Sequence, residues 1–390
     1  MVNATGVLGV VLLARHSDRL EFFQDSLTRL EACVQEQQLG TFLRDTYLDA
    51  ASPSFINGIS ADLADINQLI VRADAGGDGS VILDSVQGLL QGLFPPTMDN
   101  NITLANGMTI VGPLGGYQYI PVESVQPNLD ILLTSFTSCP NFDQHILDFY
   151  ASAPFLAEAQ VAAPFITQLQ PFLNNHSIDF TNMFNIFDFV NVQMVHNATF
   201  LSLIPPSFPP QSYDFANFHE HGVFTDSPNG ISNVVIQTIL PSIFTSLTRI
   251  TNTSDTLKIT LNEISYKPFI SLFNLTLATT DPDLHLRGIV DYTSVVALKL
   301  SATDGELAMS MRAALTVHLS ARADGSELNA GVVHRVQPDD ASWMLGVQLG
   351  NDQCSRNFFA FLTCANALGS CLLFSKQMIP TYKMFKGSQN

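Results

Sequence analysis

Five consecutive residues, Arg15-His16-Ser17-Asp18-Arg19, concentrate reactive chemistry near the start of the chain. Two guanidinium groups flank an imidazole. Each guanidinium fork can donate paired hydrogen bonds to phosphoryl oxygens, and the imidazole, unlike an arginine, offers a lone pair. A neutral His16 nitrogen aimed at phosphorus could attack it and carry the phosphoryl group while the arginines neutralise charge on the equatorial oxygens. A third guanidinium, Arg72, follows a second apolar run, "NQLIV". The competing reading makes these arginines strand-end charges paired with Asp18 and Glu21, and residue types alone leave both open.

Attack on a phosphate ester also needs a proton for the oxygen that leaves. His196, His219 and His221 are candidates for that acid. The stretch "NFHEHG" puts His219 and His221 on one face if it is extended. The same spacing gives no third metal ligand, so no metal is expected. The glycine-rich "RADAGGDG" lacks the terminal Lys-Ser/Thr of a phosphate-binding loop and the acidic spacing of a calcium loop, and no serine-centred nucleophile elbow occurs.

The elements around these residues read as strand, loop and helix. Val7 to Ala14 is a continuous apolar run, the pattern of a strand buried on both faces of a parallel sheet. A helix follows through "SLTRLEACVQEQQLGTFLRDTYL", with Asp25 or Ser26 as its N-cap. "NQLIV", a glycine-rich loop and "SVILDSVQGLLQGLF" repeat the unit, stopped by Pro95-Pro96. Between Asp143 and His196 the periodicity is helical, up to a proline-rich connector at Ile204 to Ser212. A helix over Ile231 to Ile250, a strand over Lys258 to Ser265 and a helix from Pro268 come next. Strands over Ser294 to Ser301 and Leu307 to Met311 follow, joined by an Asp304-Gly305 hairpin. The spacing predicts an α/β fold, a three-layer core with a mostly parallel sheet plus a helical cap. Its parts are core over 1–110, cap insertion over 111–228, core again over 229–312 and a divergent tail over 313–390. Because ligands bind beyond the carboxyl ends of such strands, Arg15, His16 and Arg72 stand at the expected place.

Composition narrows the partners. The 390 residues are 46% hydrophobic and 13% charged, with a net charge of −18. That balance excludes a nucleic-acid surface and favours a small phosphorylated substrate held where arginines locally reverse the field. No cofactor is called for. The five cysteines form no CxxC pair, which leaves one or two disulfides and one thiol over. Sequons at Asn101, Asn175, Asn197, Asn252 and Asn274, and another at Asn3, suit an extracellular glycoprotein. The opening run is preceded by no basic residue and leads into Arg15, so a secretory leader is expected upstream of Met1. Phe358 to Phe374 is short for a membrane span and reads as a packed helix; no membrane partner is expected.

"VVLLARHSDR" resembles the Arg-His-Gly-x-Arg signature of the histidine acid phosphatases, branch 2 of the phosphoglycerate-mutase-like histidine phosphatase superfamily, and "LIVRADAGG…GLFPP" resembles the family's second arginine segment. "GPLGGYQYIPVESV", "NIFDFVNVQMVHNATF", "ANFHEHGVFTDS" and "ISYKPFISLFNLT" are similar to secreted fungal members, the family that also includes phytases. The resemblance covers Thr5 to Arg312. It implies a phosphorylated nucleophile at His16, phosphate-binding arginines at Arg15, Arg19 and Arg72, an α/β core interrupted by a helical cap, and metal-free hydrolysis of monoesters at acidic pH through a phosphohistidine. Two positions depart from the pattern. Ser17 replaces a glycine, at a cost of order 1 kcal/mol if the backbone there is left-handed. Lys267-Pro268 stands where the family has His-Asp: Lys267 can supply charge to the phosphate, but Pro268 cannot donate a proton. The expectation is a weakened phosphatase, or alternatively a phospholigand-binding pseudo-phosphatase.

Overall fold

The structure, a computed structural model, describes residues 6–20, 30–74, 81–126, 129–276, 288–303 and 306–314, with strand segments at 333–336, 343–347, 358–365 and 370–372. The apolar N-terminal run is β1 (Gly6–Arg15), followed by α1 (Leu30–Tyr47), β2 (Leu69–Ala73) and α2 (Val81–Leu93). A hairpin, β3 (Asn101–Thr103) and β4 (Thr109–Val111), leads through the turn α3 (Pro113–Gly116) to a short β5 (Glu123–Ser124). Five helices come next: α4 (Pro140–Tyr150), α5 (Ala153–Leu169), α6 (Met183–His196), α7 (Ala198–Leu203) and α8 (Phe208–Phe224). The chain then returns through α9 (Val234–Gln237), α10 (Leu240–Thr251), β6 (Ile259–Ile264), α11 (Lys267–Leu275), β7 (Val295–Thr303), β8 (Glu306–Ala314) and β9 (Val333–Val336). A separate sheet holds β10 (Trp343–Val347), β11 (Phe358–Ala365) and β12 (Ser370–Leu372).

The main sheet has the order β5-β2-β6-β1-β7-β8-β9. β5, β2, β6 and β1 run parallel, and β7 turns antiparallel against β1. Alternation along β1 sends Val10, Leu12 and Ala14 into a core shared with α1 and α2, and Val11 and Leu13 into the opposite core, which Leu8 joins because the register shifts between Val7 and Gly9. That second core is continuous with Phe155, Phe165 and Phe189 of the cap helices, so cap and sheet share one apolar interior. The α/β class expected from the sequence is the class observed, with helices on both faces of the sheet.

Several local expectations change. The proline-rich Ile204 to Ser212 is not a pure connector, since α8 begins at Phe208 with Pro209-Pro210 in its first turn, where missing N–H groups cost nothing. The helix expected over Ile231 to Ile250 is broken after Gln237, and α10 restarts with Pro241 at its N-terminus. This stretch has the length and composition of a membrane span, yet 67% of its most apolar window is buried inside the protein, as in a core helix. Phe358 to Phe374 holds strands β11 and β12 rather than a helix, because antiparallel partners satisfy its backbone. The boundary placed at Arg312 falls inside β8, which pairs with both β7 and β9. Asp25, Ser26, the glycine-rich loop after Asp74 and Asp304-Gly305 lie outside the described residues. Cys139 is disulfide-bonded, and Cys33 is a free thiol.

Candidate active site at the end of β1

β1 leaves the sheet through three backbone hydrogen bonds. Arg15 N donates to Ser294 O at 2.8 Å, His16 N to Ile264 O at 3.1 Å, and Thr293 N to His16 O at 3.4 Å. The ends of β6 and the entry to β7 therefore hold the peptide that carries both side chains. The pair is buried: Arg15 is 5% exposed and His16 1%.

His16 Nδ1 lies 2.7 Å from Ser17 O. A carbonyl oxygen only accepts, so the hydrogen bond assigns the proton to Nδ1 and leaves the lone pair on Nε2. Burial, and then the charges of Arg15, Arg19 and Lys267, hold the imidazole well below its ordinary range. Both effects favour the neutral ring, the form a nucleophile needs. Ser17 keeps its backbone outside the left-handed region, so no strain attends the missing glycine. Its hydroxyl, 3.0 Å from Ser85 Oγ, is turned toward α2.

Arg15 is sandwiched between two aromatic rings, its guanidinium 5.1 Å from the Tyr266 centroid and 4.3 Å from that of Tyr292. One of its nitrogens donates to Val290 O, and its Nε is buried without a hydrogen-bond partner. Burial foremost, with Arg19 nearby, lowers its pKa. Arg19 is fully buried and forks onto Asp188 of α6 at 2.9 and 3.1 Å. The partner of this arginine is thus a carboxylate from the cap. The same helix brings His196, whose Nε2 is 2.5 Å from Asp18 Oδ2, while Asp18 Oδ1 accepts from Arg19 N at 2.7 Å. Asp188 and His196 lie on one face of α6 and clasp the segment from the cap side.

The remaining sequence-derived residues are placed unequally. Lys267, at the start of α11, adds positive charge at His16 and holds its Nζ 4.7 Å from the Phe136 ring centroid. Arg72 stands two strands from β1, with Nε donating to Glu123 at 2.8 Å and another nitrogen to Ser242 Oγ at 2.9 Å. Its guanidinium is held by those partners. The expectation that His219 and His221 share a face fails because both lie on helix α8, where residues two apart diverge. His219 is buried in a relay: Nδ1 meets Glu220 Oε1 at 2.8 Å, Nε2 meets the Tyr150 hydroxyl at 2.9 Å, and Glu220 Oε2 accepts from Tyr266 at 2.6 Å. It buttresses the ring beneath Arg15. His221 lies 3.3 Å from Thr225 Oγ1, outside that relay. Asp188, Tyr266 and Tyr292 escaped the sequence reading. The available signal for Asp188 was a lone carboxylate in the apolar run "MFNIFDFVNVQMV"; the tyrosines left none.

Parallel strands that deliver a histidine and guanidinium groups beneath a helical layer form a fold that the chain shares with solved phytase structures. Among the solved structures that share it are three phytases. The phytase from Citrobacter braakii is 11% identical, with a TM-score of 0.52 over 79% of this chain and 85% of that chain. The Hafnia alvei phytase in complex with myo-inositol hexakis sulphate is 10% identical, with a TM-score of 0.53 over 80% and 86%. The Klebsiella sp ASR1 phytase is 11% identical, with a TM-score of 0.51 over 80% and 83%. No family model matches the sequence, and no curated protein matches it. At these identities the likeness is one of fold.

Proposed function

We propose that the protein hydrolyses phosphate monoesters through a phosphohistidine at His16. The observation that carries this reading is the Nδ1 hydrogen bond to Ser17 O, which presents a neutral Nε2 among Arg15, Arg19 and Lys267. Nε2 attacks phosphorus, the ester oxygen departs with a proton, and water then cleaves the phosphorus–nitrogen bond. Inositol polyphosphates are the first substrates to test, because phytases share the fold. Export to an extracellular compartment belongs to the same reading. Cys139 is oxidised, and Asn101, Asn175, Asn197 and Asn252 are exposed, with Asn274 half-buried.

A second reading, a phospholigand-binding protein without turnover, is favoured by the Asp188 carboxylate on Arg19 and by Lys267-Pro268. One experiment separates them. The protein is incubated with an activated aryl phosphate at pH 4 to 6 and quenched in alkali, and both phosphate release and acid-labile label are followed. Release that His16→Ala abolishes supports the enzyme, stoichiometric labelling without release supports the second reading, and neither labelling nor phosphate binding refutes both.

A further inference from the structure

The mechanism above lacks the group that protonates the leaving oxygen. Lys267 Nζ lies against Phe136, and His196 is already bonded to Asp18. Tyr292 packs beside the His16 ring. Its ring centroid is 5.8 Å from that of His16 and lies under the Arg15 guanidinium. Its hydroxyl is buried and makes no hydrogen bond among the described residues. Nearby tyrosines are satisfied: Tyr266 donates to Glu220 at 2.6 Å and Tyr213 to Ile289 O at 2.8 Å. An orphaned buried hydroxyl is costly, and such groups call for a partner absent from the polypeptide.

The backbone supports the same assignment. Thr293, the next residue, adopts a left-handed φ of 57°, an outlier for a β-branched side chain. Its amide donates to His16 O, and Ser294 O accepts from Arg15 N. The strained turn therefore fastens Tyr292 to the strand end that carries the nucleophile, as strain retained at functional sites does.

We propose that Tyr292 is a catalytic residue that gives its phenolic proton to the ester oxygen as His16 attacks phosphorus. This rests on the phosphohistidine reading. The Nε2–phosphorus bond forms, the phosphorus–oxygen bond breaks with its electron pair on oxygen, and the phenolic proton converts that oxygen to an alcohol. The phenolate then takes a proton from the water that displaces His16, which restores the phenol and yields inorganic phosphate. Burial foremost, with Asp188 and Asp18 nearby, raises the phenol's pKa and keeps it protonated beforehand, while Arg19 and Arg15 oppose that shift.

The test compares wild type, Tyr292→Phe and His16→Ala on dinitrophenyl phosphate, whose leaving group needs no proton, and on an alkyl phosphate. Tyr292→Phe should lower kcat/KM on the alkyl ester by about 10²–10⁴-fold, the usual worth of a general acid. Dinitrophenyl phosphate should still give a burst of phosphohistidine at an almost unchanged rate. The melting temperature should hold or rise, since only an unpaired hydroxyl is removed. Equal losses on both esters, no loss on either, or a lowered melting temperature with parallel loss of activity would overturn the assignment. Wild type that forms no phosphohistidine refutes the underlying reaction, and this step with it; His16→Ala, unlabelled in every case, is the blank.

Discussion

Substitution of Glu263 by glutamine should remove much of the pH dependence of folding. Glu263 lies on β6, in register with Ala14 of β1 and Ala73 of β2, facing the α1/α2 layer. It is fully buried, as is Glu36 on α1, and none of their four carboxyl oxygens has a hydrogen-bond partner among the described residues. Burial pushes Glu263 from 4.5 up to about 8, and burial and then Glu263 itself push Glu36 upward as well. The folded state therefore binds this proton more tightly than the unfolded chain. Its contribution to stability is fully present below the unfolded value near 4.5 and is lost as pH rises through about 8. For Glu263 alone, the loss between pH 4.5 and pH 7 is about 3 kcal/mol, at roughly 1.4 kcal/mol per pH unit. Urea unfolding at pH 4.5, 5.5, 6.5 and 7.5 measures it. Wild type should weaken along this series, and Glu263→Gln should flatten the curve and be the more stable protein at pH 7.5. Parallel curves for the two proteins would refute the reasoning. Because Ile264 O and Glu263 O accept from His16 N and Asp74 N, ionisation in β6 would disturb the same strand ends that carry the site.

Two further perturbations test the packing around the site. Asp188→Ala leaves the Arg19 guanidinium buried without its carboxylate fork and should cost about 3–5 kcal/mol in denaturant unfolding. Orthophosphate, taking the carboxylate's place, should then raise the variant's melting temperature more than that of wild type; an equal rise in both would show that Asp188 does not compete with phosphate. Gly92→Ala should destabilise by about 1–3 kcal/mol through overpacking, since the new Cβ would sit 2.0 Å from Gln37 O where α1 and α2 cross; an unchanged melting temperature would refute that contact.

Local elements were legible wherever burial repeats along the chain. The run Val7 to Ala14 declares a strand covered on both faces, and β1 is that strand with its arginine at the end. β2, α2 and the β7–β8 pair were equally readable from period and flanking breakers. Reading failed where partners from elsewhere override local preference. Pro209-Pro210 looked like a connector because prolines break helix interiors, but the first turn of α8 tolerates them. Phe358 to Phe374 looked like a helix because an apolar run has no period to separate helix from strand; its pairing with β10 and within β11–β12 decided the matter.

The candidate site divides in the same way. The order Arg15-His16-Ser17-Asp18-Arg19 after a buried strand is a property of the sequence alone, and it determined which imidazole and which guanidinium groups meet at the carboxyl end of β1. Which of those groups is held by other residues was a matter of tertiary structure. Asp188 reaches Arg19 across 169 positions, Glu123 and Ser242 hold Arg72, and the turn at Thr293 lays Tyr292 beside His16. Periodicity reports the burial of a residue among its near neighbours, whereas hydrogen-bond partners, desolvation and charge depend on chains that meet only after folding.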